Sequence, residues 1–305
     1  MQALAGTLLI VGLIGLGGPA RASTQPEVEV HHIHGLALLE AKGVVLHVAT
    51  HTGLVRIRPG APPERVGLHR FDLMGLTTGP REQGVVYASG HPDLATYRRE
   101  PVGNLGLLAS QDGGATWRSV ALRGQADFHA LAWSPRDGGR LYGWSVAGEP
   151  GLYRISTADW RAERLPAPGL AGVLALAASP DPDGPVLAGT RTGLVVSRDG
   201  GVSWVDLVGP VGAKPVTALA FHPAERRLVY AATAHPATPL LRSGDEGTSW
   251  EPVALALPPG ETIVAVAVGR GSDVAVATSR STVLLTRDGG RTWTSVLEWG
   301  RAPTR

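Results

Sequence analysis

Histidine and aspartate residues of the kind that bind metal ions are concentrated in the first half of the chain. Eight of the ten histidines occur by residue 129, beginning with the run HHIH at 31–34. Imidazole and carboxylate groups suit zinc, copper or iron, and a methionine thioether adds a soft ligand for copper. A lone histidine is usually solvated or hydrogen-bonded, so these residues predict a site only if the fold gathers them. The metal-site candidates are His32, His34, His51, His91, His129, Asp72 and Asp127, with Met74 beside them.

The elements that would position these residues follow from a repeat. Four octapeptides each contain Asp, Gly and a closing Trp: SQDGGATW, SRDGGVSW, SGDEGTSW and TRDGGRTW, which begin at 110, 197, 243 and 286. Their aspartates are 87, 46 and 43 residues apart, so the first gap holds two periods. A degenerate copy is therefore expected between the first two, where RISTADW stands at 154–160.

Each unit of about 45 residues also holds three short apolar phrases, such as HGLAL, LHVAT and GLVRI in the first unit. Small residues alternate with Val and Leu in these phrases, and no helical period is sustained beyond the N-terminal segment. The pattern predicts an all-β chain, namely a six-bladed β-propeller of four-stranded antiparallel blades. Residues 23–305 form its single domain. Seven blades is the alternative if PEVEV at 26–30 belongs to further structure.

The octapeptides are predicted to be hairpins between the third and fourth strands. Asp-Gly followed by Gly favours a tight turn, and Asp, Ser and Thr side chains bond turn N–H groups. The Trp ring then packs between blades. One carboxylate per octapeptide is too few for calcium, which takes six to eight oxygens. The structural set is Ser110, Asp112, Gly114, Trp117, Ser197, Asp199, Gly201, Trp204, Ser243, Asp245, Gly247, Trp250, Thr286, Asp288, Gly290 and Trp293.

Strand order predicts which face carries function. In an antiparallel blade the start of strand one and the end of strand two share a face, while the octapeptide turn lies on the opposite one. The metal-site candidates come from those strand ends in three consecutive units. We therefore expect them to converge at the mouth of the central channel. An enlarged polar loop at 91–104 is expected on the same face.

The octapeptides resemble the Asp-box, or BNR, repeat of sialidase-like β-propellers. HIHGLA with VATHTGL is similar to exported bacterial propellers labelled glycosyl hydrolases without a demonstrated reaction. A sialidase-like activity would imply three Arg around a carboxylate, a Tyr–Glu pair and an Asp acid. Residues on the expected face with those types are Asp72, Asp93, Tyr97, Glu100, Arg98, Arg99, Arg191 and Arg280. The Arg-Ile-Pro segment of sialidases is absent from the first blade, and VRIRPG at 55–60 lies on a third strand instead.

The N-terminal residues 1–22 predict an export signal. LAGTLLIVGLIGLGG at 4–18 is uncharged, and ARA at 20–22 has the form of a cleavage site. The expected location is the periplasm or the exterior, with an uncleaved membrane anchor as the alternative. The chain has no Cys, which excludes disulfides and a Cys nucleophile. Lys and Arg number 28 against 26 Asp and Glu, with no basic run, so nucleic acid is not an expected partner.

Three functions stay open on these residues. The primary prediction is a monomeric binding or assembly module that holds a protein or glycan ligand on the channel face and has no membrane span after signal cleavage. A zinc or copper site at the His-rich mouth is compatible with that function. The alternative is a sialidase-like glycoside hydrolase.

Overall fold

The computed structural model describes residues 28–41, 43–80, 84–207, 211 and 213–303. The predicted signal at 1–22 lies outside these residues. Within the described part of the chain, no helix is both long and apolar enough to cross a membrane.

Six antiparallel sheets of four strands each are formed, every one from a contiguous stretch of chain. This confirms the predicted six-bladed propeller. Blades one to three contain β1 (Ile33–Ala41), β2 (Gly43–Thr50), β3 (Gly53–Ile57), β4 (Glu64–Val66); β5 (Asp72–Thr78), β6 (Val86–His91), β7 (Leu107–Ser110), β8 (Arg118–Ala121); β9 (Phe128–Ser134), β10 (Arg140–Ser145), β11 (Gly151–Ser156) and β12 (Ala162–Arg164). Blades four to six contain β13 (Val173–Ala178), β14 (Val186–Thr190), β15 (Gly193–Ser197), β16 (Val205–Asp206); β17 (Val216–Phe221), β18 (Val229–Thr233), β19 (Leu240–Ser243), β20 (Glu251–Pro252); β21 (Ile263–Val268), β22 (Val274–Thr278), β23 (Val283–Thr286) and β24 (Thr294–Leu297). One short helix, α1 (Leu94–Arg99), follows β6, and a 3-10 turn spans Arg136–Gly138.

The second strands of blades four to six are buried along their whole length because both of their faces pack on neighbouring blades. Every residue of β14, β18 and β22 is buried. Their sequences, VLAGT, VYAAT and VAVAT, place small residues between larger ones, so adjacent sheets approach closely without voids. The apolar run of each second strand is therefore explained by burial on two sides rather than one.

The octapeptides connect the third and fourth strands, as predicted, and each Asp is bonded within its own turn. Oδ1 of Asp199 accepts from the Ser197 hydroxyl at 2.8 Å and from the Ser203 N–H at 2.9 Å, while Oδ2 accepts from the Ser203 hydroxyl at 2.5 Å. The Ser203 hydroxyl and N–H hold the pKa of Asp199 down to about 2. The Trp204 ring N–H donates to the carbonyl of Gly201.

The ring is closed between blades one and six by packing and by the segment that precedes β1. β1 packs on β21 and β22 through a core that includes Leu38, Ala267 and Val283. The N–H of Val30 donates to the Gly300 carbonyl at 2.8 Å. The described part of PEVEV, residues 28–30, thus covers blade six and adds no seventh blade.

Apolar side chains from all six innermost strands line the central channel. They are the fifth residue of β5 and the fourth residue of the other five strands: Leu36, Leu76, Leu131, Leu176, Leu219 and Val266. On the octapeptide side of these residues lies a cavity of about 340 Å³ whose rim includes Pro80, Pro135, Pro180 and Pro223. The metal-site candidates lie on the other side, at the start of the innermost strands and at the end of the second strands.

Candidate metal centre at the channel mouth

A β-bulge at the start of the innermost strand interrupts the strand pairing in each blade. The pairing of β1 with β2 skips one residue between Ile33 and Gly35, and that of β9 with β10 skips one between Phe128 and Ala130. A bulge leaves the extra residue unpaired and re-aims its side chain. The unpaired residues are His34 in blade one and His129 in blade three.

His34, His51 and Asp72 form a compact group between blades one and two. The Nδ1 of His51 is 2.7 Å from Oδ1 of Asp72, and Nε2 of His34 lies 3.3 Å from Nε2 of His51. Nε2 of His34 is also 4.0 Å from Oδ1 of Asp72. Each residue thus offers one ligand atom, and the three atoms lie within 4.8 Å of one another. We call this group the blade-one site.

His91, Asp127 and His129 form a second group between blades two and three. Oδ2 of Asp127 is 2.8 Å from Nε2 of His129 and 3.4 Å from Nε2 of His91. Asp127 is only 3% exposed, and its Oδ1 is buried without a hydrogen-bond partner among the described residues. We call this group the blade-three site.

The two groups touch through His91, whose Nδ1 is 3.6 Å from Oδ2 of Asp72. The six residues therefore form one continuous array across three blades. The His32 ring lies beside it, with its centroid 5.0 Å from that of His51. Met74 follows Leu73 at the start of β5, in the bulged stretch of blade two.

Buried hydroxyl groups hold the backbone that presents the array. The Thr50 hydroxyl donates to the Gly53 carbonyl at 2.8 Å and accepts from the Thr52 N–H, which fixes the turn carrying His51. The Ser145 hydroxyl accepts from the N–H of Asp127 at 3.1 Å. These hydroxyls were missed as site residues, although a Ser or Thr recurs at the end of the aligned second strands of five units and could have revealed them.

A glycine also sets the spacing of the two strands that carry Asp72 and His91. Gly90 has a φ of +147°, and a Cβ at this position would lie 1.8 Å from the carbonyl oxygen of Asp72. Only glycine permits this approach, which places His91 beside the start of β5.

The electrostatics of the blade-one site favour a neutral imidazole. Burial, and then the neighbouring His51, lower the pKa of His34 to about 4, with Asp72 opposing the shift. At neutral pH the His34 imidazole is therefore uncharged and carries a free lone pair, the form that ligates metals.

The residues proposed for a sialidase-like reaction are not gathered into one site by the described contacts. Tyr97, Arg98 and Arg99 lie on the exposed helix α1, so the enlarged polar loop is partly helical. Glu100 forms an ion pair with Arg123. Arg191 and Arg280 are exposed on blades four and six, and none of the contacts found among the described residues joins them to Tyr97.

Asp93 is occupied by a structural role. Its Oδ1 accepts from the Thr96 N–H at 2.7 Å as the cap of α1, and its Oδ2 accepts from the Arg70 N–H at 3.0 Å. Partial burial works to raise the pKa of Asp93, but these N–H groups lower it overall. A carboxyl group with a lowered pKa is a poor general acid at neutral pH.

Comparison with known proteins agrees with the fold. A family model described as photosynthesis system II assembly factor YCF48 matches residues 152–300, which begin in β11 and include blades four to six. The match leaves out residues 28–151, which contain the whole array. Among curated protein sequences, none matches this chain significantly.

Solved structures with the same fold include two GH74 proteins and a nidogen–laminin complex. The GH74 enzyme of Niastella koreensis is 16% identical with a TM-score of 0.61, covering 89% of this chain and 46% of its own. The GH74 xyloglucanase of Xanthomonas campestris is 22% identical with a TM-score of 0.51, covering 79% and 39%. The nidogen–laminin chain is 11% identical with a TM-score of 0.62, covering 83% and 92%. This chain thus spans less than half the length of either GH74 protein, and the likeness establishes the fold alone.

Proposed function

We propose that this chain, a BNR-type Asp-box β-propeller of the sialidase-like fold, is a non-catalytic binding module that takes up a zinc or copper ion at its channel mouth. The observation that carries the proposal is the convergence of His34, His51 and Asp72, whose ligand atoms lie within 4.8 Å of one another. They come from three separate strand ends, so the propeller itself brings them together.

The spacing of the ligand atoms suits a tetrahedral ion. Ligands bound to zinc at 2.0–2.1 Å are about 3.3 Å apart in tetrahedral geometry. With Nδ1 as the ligand atom of His51, its distance of 3.4 Å from Nε2 of His34 is close to that separation. The distances from Oδ1 of Asp72 to Nδ1 of His51 and to Nε2 of His34, 2.7 and 4.0 Å, lie on either side of it. Two imidazoles and one carboxylate leave a fourth position for water or for a donor atom of a ligand.

A protein or peptide is the ligand that the mouth favours. The positions equivalent to His34 in blades four to six are Leu174, Thr217 and Val264, so two of these three positions carry an apolar side chain in place of histidine. A peptide could offer a donor atom to the ion and an apolar side chain to Leu174 and Val264. The family model's description as an assembly factor supports a protein partner.

The test is metal binding by the purified protein, prepared without a polyhistidine tag. Zinc and copper uptake is measured by calorimetric titration and by elemental analysis after dialysis. We expect the His34→Ala, His51→Ala double variant to bind one equivalent fewer than the wild type, because removing two of three ligands abolishes that site. The matched control is His235→Ala, which removes a histidine from a second-to-third strand loop on the other half of the same face.

Two results would overturn the proposal. One is a wild-type protein that retains neither metal after incubation with an excess and dialysis. The other is a double variant that binds as many equivalents as His235→Ala, with the same affinity.

A further inference from the structure

We infer that the mouth contains a second metal site, formed by His91, Asp127 and His129, and that His91 couples it to the blade-one site. This inference rests on the proposed function, since it assumes that the mouth binds transition-metal ions at all. It adds that the number of ions is two.

The propeller repeat places the same pair of residues at two successive blade junctions. At the first junction His51, after the second strand of blade one, faces Asp72 at the start of blade two, with 2.7 Å between them. At the next junction His91, at the end of the second strand of blade two, faces Asp127 at the start of blade three at 3.4 Å. Each pair is completed by a bulged histidine, His34 or His129. Both sites therefore offer two imidazoles and one carboxylate.

One ion cannot serve all six residues. Ligand atoms on opposite sides of an ion bound at 2.0–2.2 Å are at most about 4.4 Å apart. Among the described residues, the group whose ligand atoms all lie within 4.8 Å of one another is limited to His34, His51 and Asp72. His91, Asp127 and His129 lie outside that coordination sphere, and their own three ligand atoms do not all fall within the 4.8 Å limit, so an ion on Asp127 requires the two imidazoles to turn toward it.

Asp127 has one carboxylate oxygen that no described residue satisfies. It is 3% exposed, and its Oδ1 has no hydrogen-bond partner among the described residues, a costly state for a buried carboxylate. The imidazoles of His91 and His129 flank its other oxygen at 3.4 and 2.8 Å. The side chains of both histidines are 39% exposed, so they have room to turn toward an ion on Asp127.

His91 links the two sites because its two nitrogens face different carboxylates. An ion bound to Nε2 leaves the proton on Nδ1, which points at Oδ2 of Asp72 from 3.6 Å, about 0.7 Å beyond an ordinary N–H···O bond. Closing that gap gives the carboxylate–histidine–metal arrangement that commonly orients ligands. Two nearby dications also repel each other, so we expect the second ion to bind more weakly than the first.

The experiment counts bound ions in five proteins by zinc titration and elemental analysis. The wild type is expected to hold two equivalents. The His91→Ala, His129→Ala variant is expected to hold one, the His34→Ala, His51→Ala variant one, and the quadruple variant none. His235→Ala should hold two. Thermal unfolding of each protein verifies that it is folded. Cobalt(II) absorption provides an independent count and should saturate at two equivalents only in the wild type and in His235→Ala.

The failures of the two proposals are distinct. A wild type that holds no metal overturns both. A wild type that holds one equivalent, lost in the His34→Ala, His51→Ala variant and kept in the His91→Ala, His129→Ala variant, overturns the second site and leaves the proposed function standing. A wild type with two equivalents, both of which survive the His91→Ala and His129→Ala changes, also overturns the second site.

Discussion

The hydrogen-bond partners of each carboxylate separate the aspartates that build the fold from those that could bind a ligand. Asp199 accepts four or more bonds from its own turn, and Asp93 accepts two N–H groups around α1. Neither has an oxygen left to offer. Asp72 and Asp127 instead face imidazole nitrogens, and Asp127 keeps one oxygen unpaired among the described residues. Sequence spacing alone could not make this distinction, because all four residues are polar and lie at loop or strand ends.

Replacing an octapeptide aspartate should cost stability in a pH-dependent way. Because the folded pKa of Asp199 is about 2, below its ordinary value near 4, its contribution is complete above about pH 4 and is lost as the pH falls through 2. We expect Asp199→Ala to lower the free energy of unfolding by about 1 kcal/mol at pH 7, a small value because the carboxylate is exposed. Urea unfolding at pH 7, 4 and 2 measures it, with the exposed Asp206→Ala as control. A difference from wild type that is unchanged at pH 2 would contradict the assigned role.

The turn between the second and third strands is the element that presents His51 and His91, two of the six residues of the array. In blade one the Thr50 hydroxyl bonds the Gly53 carbonyl and the Thr52 N–H, and in blade four Thr190 makes the same two bonds to Gly193 and Thr192. The hydrogen bonds are equivalent in the two turns, but only the turn of blade one carries a histidine of the array. Blade four has Arg191 at that position.

This equivalence allows stability and binding to be separated. Thr50→Val and Thr190→Val each remove one hydroxyl and its two hydrogen bonds, so both should lower the free energy of unfolding by about 1 to 2 kcal/mol. Only Thr50→Val should also weaken zinc binding, by roughly 10-fold, since supporting residues of a metal site typically contribute 10- to 100-fold. Calorimetric titration of both variants compares them directly. Equal zinc affinities in the two variants would contradict a positioning role for Thr50.

The sequence predicts the strands and their order well, but it predicts poorly which side chains bond to one another. The period of about 45 residues is sufficient for six blades because each blade is one contiguous unit. Strand order is likewise sufficient to place His34, His51 and Asp72 on one face. The bulge at His34 depends on how β1 pairs with β2, and the helix at 94–99 depends on its cap, Asp93. Neither feature follows from the pattern of apolar residues. For this reason the sequence suggested Asp93 and Glu100 as catalytic candidates, whereas in the structure Asp93 bonds Thr96 and Glu100 pairs with Arg123.

At the scale of the whole molecule, six similar blades surround a channel mouth whose polar residues are unevenly distributed. The apolar residues from Leu36 to Val266 that line the channel recur in all six blades, whereas the His and Asp residues of the array occupy blades one to three. Blade one also lies where the ring closes. It packs against blade six, and in the described chain neither blade contains a strand from the other end of the chain. The array is therefore next to the junction on which ring closure depends.

The contact between Val30 and Gly300 should matter to that closure. Gly300 has a φ of +82°, and a Cβ there would lie 2.2 Å from the carbonyl oxygen of Val30, so Gly300→Ala must displace the covering segment. Gly60 has a φ of +81° with nothing within 4 Å of an added Cβ, and Gly60→Ala therefore carries the backbone strain without the clash. We expect Gly300→Ala to lower the free energy of unfolding by about 2 kcal/mol more than Gly60→Ala. Hydrogen exchange should also accelerate at the Val30 amide, which bonds Gly300. If urea unfolding gives the same loss for both variants, the segment before β1 does not hold blades one and six together, and packing of β1 on β21 closes the ring alone.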